Sequence, residues 1–369
     1  MLETPQTDWE DDIPFPETPR KGRGAVTNRT GRFEGYVAEP VADGWDSWDE
    51  DLPPLRTTLT ADATRTIIAR NESPDVPFDR SINPYRGCEH GCVYCFARPT
   101  HAFLGLSPGL DFESRLFYKP DAPSLLEKEL RSPKYECDVM AMGTNTDPYQ
   151  PVERELMLTR RILEVLAAHG HPVGIVTKSS QIVRDIDILA PMAAKGLARV
   201  CISITTLDRG LARTMEPRAP TPARRLETIK ALSDAGIPCG VMTAPLIPAL
   251  NDTELESILE AATAAGADMA GYVLLRLPLE IKDLFREWLE AHYPLKAKHV
   301  MNAMRETRGG QIYDPIYGLR QRGTGPYAAL LQQRFEKACK RLRLNDRKYR
   351  LDTTKFKRPP RKGDQLRLF

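Results

Sequence analysis

A chain of 369 residues has room for one large domain with extensions or for two domains. Its 41% hydrophobic and 28% charged residues are typical of an ordinary soluble protein, and its net charge of +2 excludes a chain that is basic or acidic throughout. No run of about 18 apolar residues is present, so the sequence predicts no membrane span. Seven cysteines, an odd number, argue against a disulfide scaffold, and the N-terminus lacks a secretory pattern. We therefore expect a cytoplasmic protein.

The first 60 residues carry little sign of a packed core. Acidic clusters at 8–12 and 46–51 flank a basic stretch at 20–24, proline and glycine are frequent, and apolar periodicity is absent. Such a composition cannot bury enough apolar surface to offset the entropy of ordering the chain. We predict a disordered N-terminal segment over residues 1–60.

Three cysteines, Cys88, Cys92 and Cys95, follow a short β-like run and have the spacing C-x₃-C-x₂-C. They can converge on one face of a tight loop, in which Gly87 and Gly91 leave room for the backbone to wrap a compact group. Three thiolates can hold three irons of a [4Fe–4S] cluster, whereas ordinary electron-transfer clusters use four cysteines. The open fourth iron can then bind a substrate or cofactor.

Two other interpretations of these cysteines stay open at this point. A zinc site wants four ligands, and His90 would have to supply the fourth from inside the loop. A disulfide with one spare cysteine is the second alternative, although such bonds are rare in cytosolic proteins. Tyr94, directly before the last cysteine, is an aromatic side chain that can stack on a planar ring.

Downstream of the cysteines, strand and helix patterns alternate. Helices are predicted at 122–130, 153–169, 182–194, 222–235 and 252–265, and strands at 138–142, 173–177, 198–204, 238–242 and 271–276. This alternation predicts a parallel barrel or open sheet, whose reacting groups gather at the C-terminal ends of the strands. After residue 276 the alternation stops, and helices at 281–292, 296–307 and 326–342 form an extension.

The pattern C-x₃-C-x-aromatic-C resembles the signature of the radical S-adenosylmethionine (radical SAM) superfamily. The resemblance implies a [4Fe–4S] cluster whose open iron chelates S-adenosylmethionine, and reductive cleavage of that cofactor to a 5′-deoxyadenosyl radical. It implies an α/β fold, a partial (βα)6 barrel over 61–280, with the cluster loop after the first strand. A helical extension at 281–350 and a basic flexible tail at 351–369 complete the predicted organisation. A flavodoxin- or ferredoxin-type protein is the expected reductant.

The resemblance also implies cofactor contacts at the ends of the strands. Residues 143–147 stand where the family has Gly-Gly-Glu, Lys178 follows the third strand as a counter-ion for the carboxylate, and Ser203 and Thr205 share one face at the end of the fourth. The predicted cofactor-binding residues are Tyr94, Gly143, Thr144, Asn145, Thr146, Asp147, Lys178, Ser179, Ser203, Thr205, Glu216 and Arg218. Simpler alternatives are a capped turn at 143–147, a surface lysine at 178, and a mutual ion pair of Glu216 and Arg218.

Other residues receive secondary roles. Residues 244–248 are a candidate apolar backing for adenine. The side chains of Tyr85, Arg86, Tyr149 and Gln150 are candidates for lining the substrate side. The remaining cysteines, Cys137, Cys201, Cys239 and Cys339, have apolar neighbours, and structural burial is the expectation for each.

Three stretches, 83–96, 177–179 and 184–187, resemble the spore-photoproduct-lyase-like branch, whose members are often named DNA repair photolyases. Spore photoproduct lyase uses a hydrogen-donor cysteine at the end of its second strand. The corresponding stretch here, 140–145, has none, and Cys137 lies at the beginning of the strand. The resemblance therefore predicts a DNA-repair-like enzyme that does not reverse the spore photoproduct.

The C-terminal part points toward nucleic acid in two ways. Residues 336–362 hold twelve Lys or Arg against three acids, which would attract a polyanion, or else form a solvated tail. The terminus Gln365–Phe369 resembles the peptide by which bacterial repair and replication proteins bind the DNA sliding clamp. The leading hypothesis is a radical SAM enzyme of lyase or transferase type acting on nucleic acid. The alternatives are modification of tRNA, a protein or a small metabolite, and a non-catalytic iron–sulfur protein.

Overall fold

The computed structural model describes residues 19–35 and 55–360. Its strands are β1 (Thr58–Ala61), β2 (Ile68–Arg70), β3 (Arg80–Ile82), β4 (Tyr85–Arg86), β5 (Arg115–Tyr118), β6 (Met140–Met142), β7 (Val173–Thr177), β8 (Ala198–Ser203), β9 (Cys239–Leu246) and β10 (Met269–Leu274). Its α-helices are α1 (Leu110–Ser114), α2 (Ala122–Leu130), α3 (Glu153–Leu156), α4 (Leu158–Ala168), α5 (Ile186–Ala194), α6 (Arg209–Met215), α7 (Pro222–Asp234), α8 (Leu255–Ala264), α9 (Ile281–His292), α10 (Pro294–Glu306) and α11 (Gly325–Leu342). In these ranges no helix combines the length and apolar character needed to cross a bilayer.

Six parallel strands form the main sheet in the order β3, β6, β7, β8, β9, β10, and β2 pairs antiparallel with β3 at one edge. Neighbours in the sheet are consecutive barrel strands, and each is linked to the next by a crossover that contains a helix. The α/β prediction of a partial (βα)6 barrel is confirmed. A second small sheet, β1–β5–β4, lies beside the cysteine loop.

Local sequence signals account for the barrel helices. Thr221 caps α7 by accepting a hydrogen bond from the Arg224 backbone N–H, and Pro222 occupies the first turn, where its missing N–H costs nothing. Strand alternation then separates two environments. On β7, Val173 and Ile175 belong to the core under the helices. Gly174 and Val176 line the barrel interior, and Ile175 also borders it. Many inward positions are small, so the interior stays open as a cavity.

The open side of the barrel, between β10 and β2–β3, is spanned by the segment 307–324. The Leu274 N–H donates to the Gln321 carbonyl oxygen at 2.9 Å, which fixes this segment to β10. The neighbouring Arg320 reaches the loop between β2 and β3, where it pairs with Asp75 and donates to Ser73 Oγ at 2.5 Å. We call these contacts the lateral seam, because they join the two edges of the sheet.

The helical extension is confirmed and supports the cysteine loop. Side chains of α9, including Phe285 and Trp288, form one apolar cluster with Val93 and Tyr94. Trp288 Nε1 donates to the Thr214 carbonyl oxygen at 3.0 Å, which satisfies its buried N–H. The extension is therefore part of the wall around the site and does not form a separate lobe.

Two predictions of disorder are wrong for the described residues. Ala25 and Val26 are 1% and 3% exposed, and the strand β1 pairs with β5, so 19–35 and 55–60 are ordered. Within the predicted flexible tail, 351–360 is ordered too, because Phe356 packs on Tyr135 and the Lys357 N–H donates to the His169 carbonyl oxygen at 2.8 Å. The rest of both segments, including Gln365–Phe369, lies outside the described residues.

Candidate active site

The three cysteines lie on the loop after β3, the first barrel strand, and all three line a cavity of about 1100 Å³ inside the barrel. The loop requires its glycines. Gly87 and Gly91 have φ of +77° and +67°, and a Cβ on Gly91 would lie 2.7 Å from Glu113 Oε2. Only glycine adopts this conformation without strain and leaves that space.

Two buried side chains hold the backbone of the loop. Gln150 Oε1 accepts from the Glu89 N–H at 2.9 Å, and Gln150 Nε2 donates to the Gly87 carbonyl oxygen at 3.2 Å. Arg98 donates to the carbonyl oxygens of Cys92 and Gly91 at 2.9 and 3.2 Å. Gln150 therefore fixes the loop and is absent from the described cavity lining, contrary to the prediction of a substrate-side residue. Arg98 was not predicted at all.

The N-terminal segment covers the outer side of the loop. Glu113 forms a fully buried ion pair with Arg98 and accepts from the backbone N–H groups of Gly24 and Ala25 at 2.9 and 2.8 Å. Gly24 lies so close that a Cβ there would be 1.8 Å from the Gly91 carbonyl oxygen. Residues 19–35 thus complete the shell of the cysteine loop through backbone contacts that side-chain periodicity does not reveal.

The thiols fit an iron–sulfur cluster better than a single metal ion or a disulfide. All seven cysteines are free, and no trio of His, Cys, Asp or Glu in the described chain is placed to hold one metal ion. A lone zinc holds thiolates at about 2.3 Å, whereas a four-iron cluster binds each thiolate at a different iron. His90 directs its Nδ1 toward Asp147 Oδ2, at 3.4 Å, and does not join the thiols in a single-ion site among the described residues.

Burial also shapes the charge state of these thiols. It raises the pKa of Cys92 to about 12, although nearby Lys178 acts in the opposite direction, and it raises the pKa of Cys88 and Cys95 as well. Without a metal the thiols would stay protonated at neutral pH. The charge of a bound cluster reverses this preference, because metal coordination deprotonates thiols outright.

Glu216 is the centre of a buried network next to the loop. It accepts hydrogen bonds from the Tyr94 hydroxyl and from Thr205 Oγ1, the latter at 2.8 Å, and it pairs with Arg225. Burial opposes ionisation of Glu216, but Arg225 and Lys178 outweigh it and hold the pKa below its ordinary value. Thr205 and Glu216 are not among the described cavity-lining residues, so they position Tyr94.

Three further residues that were predicted to bind the cofactor instead bond to neighbouring parts of the protein. Arg218 pairs with Glu89 at 3.1 Å, so the suggested pair between Arg218 and Glu216 is wrong. Ser179 Oγ accepts from the Gln181 N–H at 3.2 Å and caps a short 3₁₀ helix. Thr146 Oγ1 donates to the Tyr85 carbonyl oxygen at 3.0 Å. None of these three predicted residues is in the described cavity lining.

The other predicted cofactor residues do line the cavity together with the cysteines: Tyr94, Gly143, Thr144, Asn145, Asp147, Lys178 and Ser203. Gly143 has φ of +83°, and a Cβ there would lie 1.8 Å from the Val176 carbonyl oxygen. The ammonium of Lys178 lies 5.7 Å from the centroid of the Tyr94 ring. The ends of three neighbouring strands thus meet at one wall, as expected for parallel strands.

Asp147 acts as a clamp between two of these strand ends. Its carboxylate accepts from Thr177 Oγ1 at 2.6 Å and from the Lys178 N–H at 2.8 Å. Burial alone would raise the pKa of Asp147, but His90 and these two donors outweigh burial and lower the pKa to about 2. The carboxylate is therefore ionised and engaged, and it orients the backbone that carries Lys178.

The cavity also contains residues that sequence reasoning placed elsewhere. Ala244 and Pro245 line it, in agreement with an apolar backing at the end of β9, but so does Cys201, which was expected to be merely structural. Tyr85 and Arg86 are not in the described lining: their side chains bond Glu153 and Asp62. Strand alternation could have found Cys201, because it lies two positions before Ser203 on β8.

The charge of the cavity is uneven. Among its described lining residues six are basic, Lys178, Arg199, Arg276, Arg320, Arg347 and Lys348, and two are acidic, Asp75 and Asp147. Both carboxylates are already paired, with Arg320 and with His90 respectively. The interior therefore presents an excess of positive charge to whatever enters it.

A partial barrel with a thiolate trio at its mouth defines a class of iron–sulfur enzymes. A model of the radical SAM superfamily matches residues 82–262, and the chain belongs to that superfamily. Its members use a [4Fe–4S] cluster and S-adenosylmethionine, and Cys88, Cys92 and Cys95 are the residues that would hold the cluster here.

Similar proteins extend this assignment. The chain is 38% identical over 255 residues to an uncharacterised protein of Mycobacterium tuberculosis, covering 68% of this chain and 74% of the relative. It is 27% identical over 222 residues to an uncharacterised protein of Methanocaldococcus jannaschii, covering 60% and 79%. Spore photoproduct lyase complexed with dinucleoside spore photoproduct has the same fold, with a TM-score of 0.52, 17% identity, and coverage of 77% and 79%. The predicted likeness to that branch is confirmed at the level of the fold.

Proposed function

We propose that this protein is a radical SAM enzyme that acts on nucleic acid in a DNA-repair-like reaction. The observation that carries the proposal is the cationic cavity of about 1100 Å³ that opens onto the three cysteines. Its volume is slightly larger than that of sites for drug-sized ligands, which reach about 1000 Å³, and its charge suits a phosphate backbone. When bound, the cluster and its cofactor supply one-electron cleavage that yields a carbon radical able to remove a hydrogen atom from substrate.

The chain's own residues would bind and orient the cofactor. The methionine carboxylate would lie against Lys178, whose pKa is raised despite burial, mainly by Cys92 and Glu216. Its amine would face the polar turn at 143–145, and the ribose would face Ser203, which ends β8. The network around Glu216 would hold the Tyr94 ring in place beside these groups.

The reaction would differ from reversal of the spore photoproduct. The stretch that ends β6, Met140–Met142 and the turn after it, has no thiol, and Cys137 is outside the described cavity lining. A substrate radical at that wall would find no sulfur-bound hydrogen atom from the second strand. We therefore place the enzyme beside spore photoproduct lyase in fold and substrate class, with a different outcome.

The test is an anaerobic assay of the reconstituted enzyme with dithionite, S-adenosylmethionine and ultraviolet-damaged duplex DNA. Formation of 5′-deoxyadenosine that increases with damaged DNA, relative to undamaged DNA, supports the proposal. Stimulation by tRNA, peptide or metabolite extracts alone would contradict the nucleic-acid repair assignment. A cluster that never cleaves the cofactor would contradict the enzyme itself.

Three expected partners belong to the same proposal. A cytoplasmic flavodoxin- or ferredoxin-type protein would reduce the cluster. The basic stretch at 336–362 would attract DNA, and Arg347 and Lys348 from it line the cavity. The terminus Gln365–Phe369 would bind the DNA sliding clamp, with leucine and phenylalanine in an apolar pocket. In a clamp pull-down, the Leu368→Ala/Phe369→Ala variant should no longer be recovered with the clamp. Recovery equal to that of the wild type would contradict this contact.

A further inference from the structure

Phe96 and Arg276 lie side by side in the cavity lining near the cysteine loop. Phe96 directly follows Cys95, lines the cavity and is 45% exposed. Arg276, just after β10, lines the same cavity, and its guanidinium carbon lies 5.1 Å from the centroid of the Phe96 ring. An exposed aromatic ring with a guanidinium against it therefore borders the last cysteine of the loop.

Among the described residues, Arg276 differs from the arginines around it in having no hydrogen bond or ion pair. Arg320 is paired with Asp75, and Arg308 donates to the carbonyl oxygens of Leu275 and Leu319 at 2.8 and 2.9 Å. Within residues 19–35 and 55–360, no ion pair or hydrogen bond involves Arg276, and its buried Nε has no acceptor. A cation held at a cavity mouth with unused donors is available for an anionic ligand.

The combination suits a nucleotide. Arginine binds phosphate through paired N–H donors, and aromatic side chains stack on unpaired bases in single-stranded nucleic acid. A carboxylate metabolite would use the guanidinium alone and leave the apolar face of Phe96 without a function. A nucleotide uses both groups, because its base and its phosphate are separated by one sugar.

We propose that Phe96 and Arg276 dock one nucleotide of the substrate, with the base stacked on Phe96 and the adjacent phosphate bound by Arg276. This docking pair rests on the proposed function, namely that the substrate is nucleic acid. It adds a specific requirement: one nucleotide must be unpaired from its duplex partner to reach the ring, so single strands and distorted duplexes bind better than intact duplexes.

The experiment measures binding of the reconstituted holoenzyme to a fluorescein-labelled ten-nucleotide single strand by anisotropy, over a series of salt concentrations. The test variants are Phe96→Ala and Arg276→Gln. The matched controls are Phe103→Ala, an exposed phenylalanine outside the described cavity lining, and Arg224→Gln, an exposed arginine on α7. Iron content is measured for each protein, so that loss of the cluster is recognised.

We expect Phe96→Ala to weaken binding about tenfold with the salt dependence unchanged, since stacking carries no charge. Arg276→Gln should also weaken binding and reduce the slope of log K against log salt by about 0.7, the contribution of one phosphate of a single strand. Phe96→Trp should restore binding, and Arg276→Lys should restore the slope. The two control variants should match the wild type.

The outcomes separate this inference from the proposed function. Wild-type binding with Phe96→Ala and Arg276→Gln equal to the controls would overturn the docking pair and leave the nucleic-acid assignment standing. Failure of Phe96→Trp to restore binding, with its iron content intact, would also overturn it. A wild-type enzyme that binds neither DNA nor RNA strands, yet cleaves its cofactor with another substrate, would overturn the proposed function. The same losses with an RNA probe would support the docking pair.

Discussion

The wall of the cavity around the cysteine loop and the lateral seam across its open side are built in opposite ways. On the loop side, the buried carboxylates of Glu113, Glu216 and Asp147 each have several partners that fix them. Asp75 of the seam is held by Arg320 and by the Gly318 N–H, but beside it Arg276 has no hydrogen bond or ion pair among the described residues, and Tyr317 is 56% exposed. The difference suggests a rigid frame for the cofactor facing an adaptable surface for the substrate.

The largest effect, on iron content and cofactor cleavage, should follow from replacing the cysteines of the loop. Replacing Cys88, Cys92 or Cys95 with serine should abolish both the cluster and cofactor cleavage, because three thiolates are the minimum set for a four-iron cluster with one open iron. Iron and sulfide analysis of anaerobically reconstituted protein checks this. Cys137→Ser, outside the described cavity lining, is the control and should keep its iron; equal iron in all four variants would contradict the assignment.

The next largest effect concerns the shell of the loop. Arg98→Met leaves the Glu113 carboxylate without its buried cation, and loss of one partner of a buried pair costs about 3–5 kcal/mol in the free energy of unfolding. Anaerobic urea denaturation measures that loss. Arg224→Gln breaks an exposed pair with Glu227 and should change stability by less than about 1 kcal/mol. Similar values for the two variants would mean that the shell is not the rigid side.

A pH effect should come from the far end of the barrel. His171 is buried between the Tyr135 hydroxyl at 2.6 Å and the Pro172 carbonyl oxygen at 3.0 Å, which suits the neutral ring, and burial lowers its pKa to about 4. The unfolded chain binds this proton below about pH 6.5. Its contribution to stability is therefore present above that pH and is lost as pH falls toward 4.

The linkage predicts that the free energy of unfolding falls by about 2 kcal/mol between pH 7 and pH 5 through this one group. A His171→Gln variant should lack this part of the pH dependence while being less stable at pH 7. Denaturation of both proteins at the two pH values provides the comparison. Parallel pH profiles for wild type and variant would contradict a neutral buried His171.

The smallest effect should come from the seam. Arg320→Gln removes the ion pair with Asp75, whose side chains are 18% and 4% exposed. Because the Gly318 N–H still donates to Asp75, we expect a smaller loss in the free energy of unfolding than for Arg98→Met. Hydrogen exchange should become faster in 71–79 and 307–324, with exchange in β7 and β8 unchanged. Faster exchange throughout the barrel would show that the seam supports the whole frame, which would contradict an adaptable seam facing a rigid cysteine loop.

The sequence predicted those parts of the fold that depend on local patterns. The helix at 122–130 and the strand at 173–177 match residue by residue, because hydrophobic periodicity and a proline in the first helical turn are local features of each element. The order of residues 19–35 could not be predicted, since it depends on backbone donors that reach Glu113, almost ninety positions away. Neither amino-acid composition nor hydrophobic periodicity predicts contacts between segments so far apart in the sequence.

The site residues likewise fall into those that local sequence predicts and those that only the tertiary structure reveals. The cysteine trio and Lys178 were accessible from motif and strand position, and both line the cavity. Glu216 was singled out, but its partners Arg225 and Tyr94 come from two other segments, so its positioning role required the tertiary structure. The seam and Arg276 emerge only when the helical extension meets the barrel edge.

The central claim is that three thiolates hold a four-iron cluster with one iron open to S-adenosylmethionine. The most direct measurement is the electron paramagnetic resonance spectrum of the reduced, reconstituted protein with and without that cofactor. A [4Fe–4S]⁺ signal whose g-values change when the cofactor is added is the predicted result. A signal that the cofactor leaves unchanged, or purified protein carrying a single zinc at these cysteines, would contradict the account.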